Sequence, residues 1–163
     1  MLLNPRTFKF FMNLYPPYFF SRTRVKSVSK DFKEIVVVVK KSLLTRNYVG
    51  TTFGGSLYQA TDPFFMLMLI RIMGLKDYII WDQDAEIIFV KPARSKITYR
   101  FIITDEQLEK IKRDLEQNST VRPQFFVEGR DESGDVCVQI RKGIYIRKKE
   151  KKKETINVGV TSP

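Results

Sequence analysis

A carboxylate, a side-chain amide and two adjacent glycines fall close together near the middle of this chain. Asn47 begins the run Asn47-Tyr48-Val49-Gly50-Thr51-Thr52-Phe53-Gly54-Gly55, and Asp62 follows Gly54 at the mouth of the apolar block Phe64 to Ile72. If Gly54-Gly55 opens a helix, its first N–H groups can face an oxyanion, and a carboxylate one or two turns further on can work on a water molecule. That is chemistry on a carbonyl carbon. It is the only constellation in the sequence that reads as catalytic.

Each member also has a plainer reading. Asp62-Pro63 can be the N-cap and first residue of a helix from Pro63 to Met73, a stabilisation of about 1 kcal/mol. Alternatively the helix begins at Gly54-Gly55 and kinks at Pro63, leaving Asp62 facing a ligand gap. Asn47 can close an Asx turn towards Val49 or Gly50, and the glycine pair suits a tight strand-to-helix turn.

Composition removes several mechanisms. The 163 residues contain no histidine, which excludes Ser-His-Asp and Cys-His catalysis and His-containing zinc sites, so a general base must be a carboxylate, Tyr or Lys. Cys137 is the only cysteine; it excludes an intramolecular disulfide and reads as a small core residue among valines. The acidic residues Asp82, Asp84 and Glu86 alternate at the start of a strand, but in so basic a protein they read as partners for Lys and Arg rather than as metal ligands. No metal is expected.

Charge is the strongest compositional signal. Lys and Arg number 29 against 18 acidic residues, a net charge of +11. Part of that excess lies in Lys148, Lys149, Lys151, Lys152 and Lys153, which lack the interleaved aromatics of a nucleic-acid stacking surface and read as a disordered basic tail. Lys26, Lys30, Lys40, Lys41, Lys91, Arg94 and Lys96 suit the phosphates of a nucleotide-like group or an anionic membrane surface. No apolar run reaches the ~20 residues of a membrane-spanning helix, and no secretory signal is expected.

The elements that must position these groups follow from periodicity. Pro5 to Tyr15 reads as a helix with Phe8, Phe11, Met12 and Tyr15 on one face, stopped by Pro16-Pro17. Ser21 to Ser29 and Glu34 to Ser42 read as antiparallel strands, the second buried on both faces or at a subunit contact. A helical segment runs from Gly54-Gly55 to Met73-Gly74, and its stretch Phe64 to Ile70 leaves no polar face, so other elements must enclose it. The strands available are Asp84 to Lys91, Ser95 to Thr104, Pro123 to Arg130 and Asp135 to Ile146. Thr104 and Gln107 form a capping box for a surface helix with the stripe Leu108, Ile111 and Leu115. Lys142 falls in register with Val136, Val138, Ile140, Ile144 and Ile146. Either the strand has left the core or bulges at Gly143, or Lys142 points at a ligand phosphate.

A buried helix between two early strands and several later ones resembles the hotdog fold, an α+β architecture in which a curved antiparallel sheet wraps a long central helix. Asn47, Gly50, Gly54-Gly55 and Asp62 resemble the Asn-x-x-Gly-x-x-His-Gly-Gly pattern and following helical Asp of the phenylacetyl-CoA thioesterase-like branch. Phe89-Val90-Lys91-Pro92-Ala93 is similar to its aromatic-x-Arg/Lys-Pro-Ala segment. With Phe53-Gly54-Gly55-Ser56-Leu57, Asp62-Pro63-Phe64 and Tyr78-Ile79-Ile80-Trp81-Asp82, the chain resembles, from about Tyr18 to Lys149, a bacterial hotdog family of unknown function.

That resemblance implies hydrolysis of an acyl-CoA thioester at a site shared by two subunits, in a cytoplasmic dimer or dimer of dimers, with coenzyme A entering only as part of the substrate. Asp62 would be base or nucleophile, Gly54 N–H the oxyanion donor and Asn47 a positioning group. Gly55 and Phe53 would contact substrate, and Lys91, Arg94 and Lys142 are candidates for its phosphates on charge and placement. Phe53 stands where the pattern has histidine, so a non-catalytic acyl-CoA or fatty-acyl binding protein is the alternative. A basic protein docking on membrane or nucleic acid is a third. The expected organisation is a helical arm over 1–17, one domain over 18–147 and the tail over 148–163.

Overall fold

Asn4 opens the first helix by accepting a hydrogen bond from Thr7 N–H, 2.9 Å away, and Pro5 occupies the first turn. In this computed structural model, residues 4–149 are described; most of the Lys-rich tail lies outside them. Helix α1 spans Pro5–Leu14 and is followed at once by α2, Pro16–Phe20, which the sequence does not announce. Phe8 packs edge-on against Phe32 and Met12 lies against the core, but Phe11 and Tyr15 are exposed, so the expected four-residue apolar face is only half buried. Phe10, Leu14, Phe19 and Phe20 add to the exposed aromatic and apolar surface of this hairpin.

Strands β1 (Thr23–Val28), β2 (Glu34–Val39), β3 (Tyr78–Phe89), β4 (Ile97–Ile102), β5 (Thr120–Val121), β6 (Gln124–Arg130) and β7 (Val136–Lys148) form one curved antiparallel sheet. The order is β1-β2-β4-β6-β7-β3, with β5 also paired to β7. In β2, Val37, Val38 and Val39 are all buried, as a continuous apolar run predicts. Helix α5 (Asp105–Gln117) carries the complete Thr104–Gln107 capping box and buries Leu108, Ile111 and Leu115.

The central helical segment is not one helix. Helix α3 covers Gly54–Gln59, a turn follows, and α4 covers Phe64–Met73; the Asp62-Pro63 peptide is cis. Pro63 holds the N-cap position of α4 without any side-chain cap bond, so Asp62 does not cap it. Phe64 and Phe65 anchor α4 through Phe101 of β4 and Phe125 of β6, with ring centroids 4.8–5.1 Å apart. On the sheet face that meets α3, Gly129 lets the Tyr99 ring pass: a Cβ there would lie 2.6 Å from Tyr99 Cε1 and 2.5 Å from Val138 Cγ1.

Tyr99 uses that space to donate from its buried hydroxyl to the Leu57 carbonyl at 3.0 Å, which fixes α3 against β4. Tyr99→Phe leaves that carbonyl without its donor. The expected result is a loss of about 1–2 kcal/mol in urea unfolding at unchanged m-value; an unchanged midpoint would show that α3 does not depend on this bond.

The two sheet edges differ. Asn13 of α1 reaches β1 with both ends of its amide: Nδ2 donates to Val25 O at 3.1 Å and Val25 N–H donates to Oδ1 at 2.8 Å. A side chain thus occupies the edge as a short strand would. The outer edge of β3 has no strand partner among the described residues, and Trp81, Ile88 and Phe89 are exposed along that strand.

Candidate active site

Four of the residues singled out above line one groove of about 440 Å³: Asn47, Gly54, Lys91 and Arg94, with Phe89, Pro92 and Ala93. The loop before α3 holds its shape through Gly50, at φ +82°, and through Thr52 N–H, which donates to Ala93 O at 2.9 Å. Among the described residues, no acceptor is found for the N–H groups of Gly54 and Gly55 at the start of α3. Phe89 lies against Gly54 and Phe53 against Gly55, so close that a Cβ at either glycine would meet a ring atom within 2.8 Å or 2.3 Å. Phe53 is 56% exposed and presents an apolar face where a histidine would offer a donor.

Asn47 is committed locally. Its Nδ2 donates to Thr51 Oγ1 at 2.8 Å and its Oδ1 accepts from Thr51 N–H at 3.0 Å, one or two residues beyond the Asx turn expected from the sequence. Lys91 pairs with Asp131 at 2.9 Å and with Asp135, and these hydrogen bonds push its pKa up. Arg94 is exposed, and no ion pair is found for it among the described residues.

Asp62 and Lys142 lie elsewhere. Asp62 borders a second groove, about 420 Å³, with Met12, Tyr15, Tyr18, Gln59 and Leu67, and Tyr18 donates its hydroxyl proton to the Asp62 backbone carbonyl. Burial, then the charge of Asp62, raises the Tyr18 pKa, so the phenol stays protonated. Lys142 is only 2% exposed; β7 neither leaves the core nor bulges there, and the ammonium is held inside rather than offered to a phosphate. Its Nζ stands 3.4 Å from Asp62 Oδ1 and 3.2 Å from Asp82 Oδ2, and 5.5 Å from the centre of the Tyr58 ring. Burial alone would lower the pKa of this ammonium, but Asp82 and Asp62 outweigh it and the net shift is upward.

Asp82 escaped the sequence reading as a site residue. It sits in β3 just before a bulge between Asp82 and Asp84, which turns Asp82 inward while Asp84 and Glu86 face out and pair with Arg141 at 3.1 Å. The three carboxylates therefore do not share a face. The available signal was Lys142, because a lysine in phase with a buried strand face requires a nearby counter-charge.

Burial first, and then the hydrogen bond that protonated Asp82 can donate to the Asp62 carboxylate, push the Asp82 pKa up to about 7 against the pull of Lys142. A carboxyl with a raised native pKa stabilises the fold while protonated; its contribution is full below about pH 4 and is lost as pH rises through its native pKa. The urea midpoint should therefore fall between pH 5 and 8 more steeply in the wild type than in Asp82→Asn. Equal slopes would mean that Asp82 titrates alike in both states.

The architecture has solved relatives. A protein of unknown function from Chlorobaculum tepidum superposes with a TM-score of 0.70 at 16% identity, covering 90% of this chain and 98% of that one. A thioesterase from Haemophilus influenzae gives 0.64 at 11% identity over 91% and 93%. A mutant thioesterase from Pseudomonas aeruginosa gives 0.66 at 8% identity over 91% and 97%. At such identities the likeness carries the fold, which is the hotdog fold. A search of curated proteins found no match in sequence. The model of the "Domain of unknown function (DUF4442)" matches residues 4–146. Coverage of that extent makes this chain a member of the DUF4442 family.

Proposed function

We propose that the protein hydrolyses an acyl-CoA or acyl-pantetheine thioester at a site completed by two copies of the chain. The observation that carries this reading is the separation of the two halves of the chemistry along β3. Gly54 sits against Phe89 near the end of the strand, whereas Asp62 meets Asp82 and Lys142 beside its first half. Asp82 and Phe89 are about 20 Å apart at strand spacing. Two antiparallel copies of the open β3 edge, related by a two-fold axis, set the first half of one strand beside the second half of the other. Asp62 of one copy then approaches the partner's Gly54.

In that arrangement a water gives its proton to Asp62 and its oxygen attacks the thioester carbonyl. The oxyanion is met by the Gly54 N–H, the C–S bond breaks, and the departing sulfur takes up the proton. The products are a carboxylic acid and a thiol. Phe53 and Phe89 offer apolar contact to the acyl or pantetheine chain, and Arg94 is better placed than the doubly paired Lys91 to meet a phosphate.

The test is thiol release from short, medium, long and aromatic acyl-CoAs, run beside sedimentation of the protein. Ile88→Lys places a charge on the exposed β3 edge and should abolish dimer and hydrolysis together. Full turnover by a monomer would overturn the shared site. Saturable binding without turnover would favour the alternative of an acyl-CoA binding protein, which the phenylalanine at position 53 supports.

A further inference from the structure

The buried lysine has a chemical consequence for the carboxylate beside it. Among the described residues Lys142 is the one buried Lys, Arg, Asp or Glu, and its Nζ touches carboxyl groups from two different elements, Asp82 of β3 and Asp62 of the turn before α4. Their surroundings differ: the Asp62 side chain is 52% exposed and opens on the groove beneath α1 and α2, while the Asp82 side chain is 18% exposed. Both Asp82 oxygens are shielded from solvent and lack a well-directed hydrogen bond among the described residues, so Lys142 meets them as a charge rather than as an aligned donor. Tyr58 of α3 lies over the ammonium, and Tyr18 of α2 is bonded to the Asp62 carbonyl. Two negative charges against one positive charge is an unstable balance where the Asp82 carboxylate and the ammonium are shielded from water. Uptake of one proton by the pair restores it.

We propose that Asp82 and Lys142 are positioning residues for Asp62, and that Asp62 and Asp82 act as one carboxyl pair that binds a single proton above the Lys142 ammonium. This rests on the thioesterase reading for its role in turnover. An isolated aspartate is a weak base at neutral pH; a pair that must share its proton is a stronger one, and the upward shift of Asp82 agrees with this. In the reaction the fully ionised pair takes one proton from the attacking water through Asp62. The same proton is returned to sulfur as the C–S bond breaks. Lys142 keeps the doubly ionised state accessible, and its stem, packed in the core, holds both carboxyls in place.

The experiment combines two readouts. Carboxyl carbon NMR titration of the whole protein follows Asp62 and Asp82 directly, with or without activity. The wild type should show a carboxyl midpoint near 7, and Asp62→Asn should lower the Asp82 midpoint by about one unit or more. In parallel, the acid limb of kcat/KM should lie near neutrality in the wild type and move down by about two units or more in Asp82→Asn, with kcat reduced. Asp82→Glu should bring the limb back towards neutral pH. A structural role for Asp82 would lower activity or stability without moving the limb. An Asp82 midpoint indifferent to Asp62→Asn, or an acid limb indifferent to Asp82→Asn, overturns the proposal. If the wild type hydrolyses no thioester, the functional reading fails by itself, and the NMR titration still decides whether the two carboxyls share a proton.

Discussion

Asp62→Asn is expected to lower thioester hydrolysis by about 10²–10⁴-fold while leaving acyl-CoA affinity within about threefold. The asparagine keeps the size of the side chain and the backbone carbonyl that Tyr18 holds, so the turn before α4 retains its anchor. What disappears is the ability to accept a proton. The loss should therefore fall on kcat, with the dissociation constant from equilibrium binding little changed. Hydrolysis that survives the substitution would remove Asp62 from the chemistry and transfer the problem to some other base. A parallel loss of binding would instead mark Asp62 as a ligand contact.

The largest effect on stability is expected at Phe65. Its ring is 1% exposed, stacks on Phe125 at 4.8 Å between centroids and meets Phe101 edge-on at 5.1 Å. Phe65→Ala removes the only one of these rings that touches both β4 and β6 from the helix, and should cost about 3–5 kcal/mol. On a domain of this size that can consume much of the net stability. Trp81→Ala provides the contrast. Trp81 is half exposed and stacks on Tyr145 along the β3–β7 ladder, so its loss should be mild in unfolding experiments on the isolated chain. If the two variants unfolded at the same denaturant concentration, the aromatic column under α4 would not be what holds the sheet to the helix.

Much of the architecture is legible in the residues, for reasons that can be named. The capping box at Thr104 and Gln107 and the stripe Leu108, Ile111, Leu115 define α5 because both signals are local. The valines of β2 are equally local, and so is the turn Asp131–Asp135 joining β6 to β7, where Asp131 N–H donates to Asp135 O at 3.0 Å and Gly134 N–H to Asp131 O at 3.1 Å. The break between α3 and α4 is only half legible: Thr61-Asp62-Pro63 allows either a new helix or a kink in one, and the packing of Phe64 and Phe65 on the sheet decides for the new helix. The start of β3 at Tyr78 was hidden because its first residues are apolar in a row and its later ones acidic. The Asp82 bulge was hidden too, since a one-residue insertion changes which face a side chain occupies without leaving a compositional trace. Loop and strand motifs mark Asn47, Gly54 and Lys91, and charge alone marks Arg94; the meeting of Asp62, Asp82 and Lys142 depends on a pairing of distant segments.

The position of Lys142 on the last described strand also bears on how the molecule is assembled. Strand β7 pairs with β3, β5 and β6, and it brings the cation that two earlier carboxylates require. A chain that has been synthesised only as far as the Asp131–Asp135 turn has β3 without its ladder partner and Asp82 without its counter-ion. Such a chain has little reason to close. Contacts of this sequence separation come late and slow the search, so the final strand should act as the step that commits the whole sheet. Nascent chains lacking it would depend on being kept from one another until it arrives.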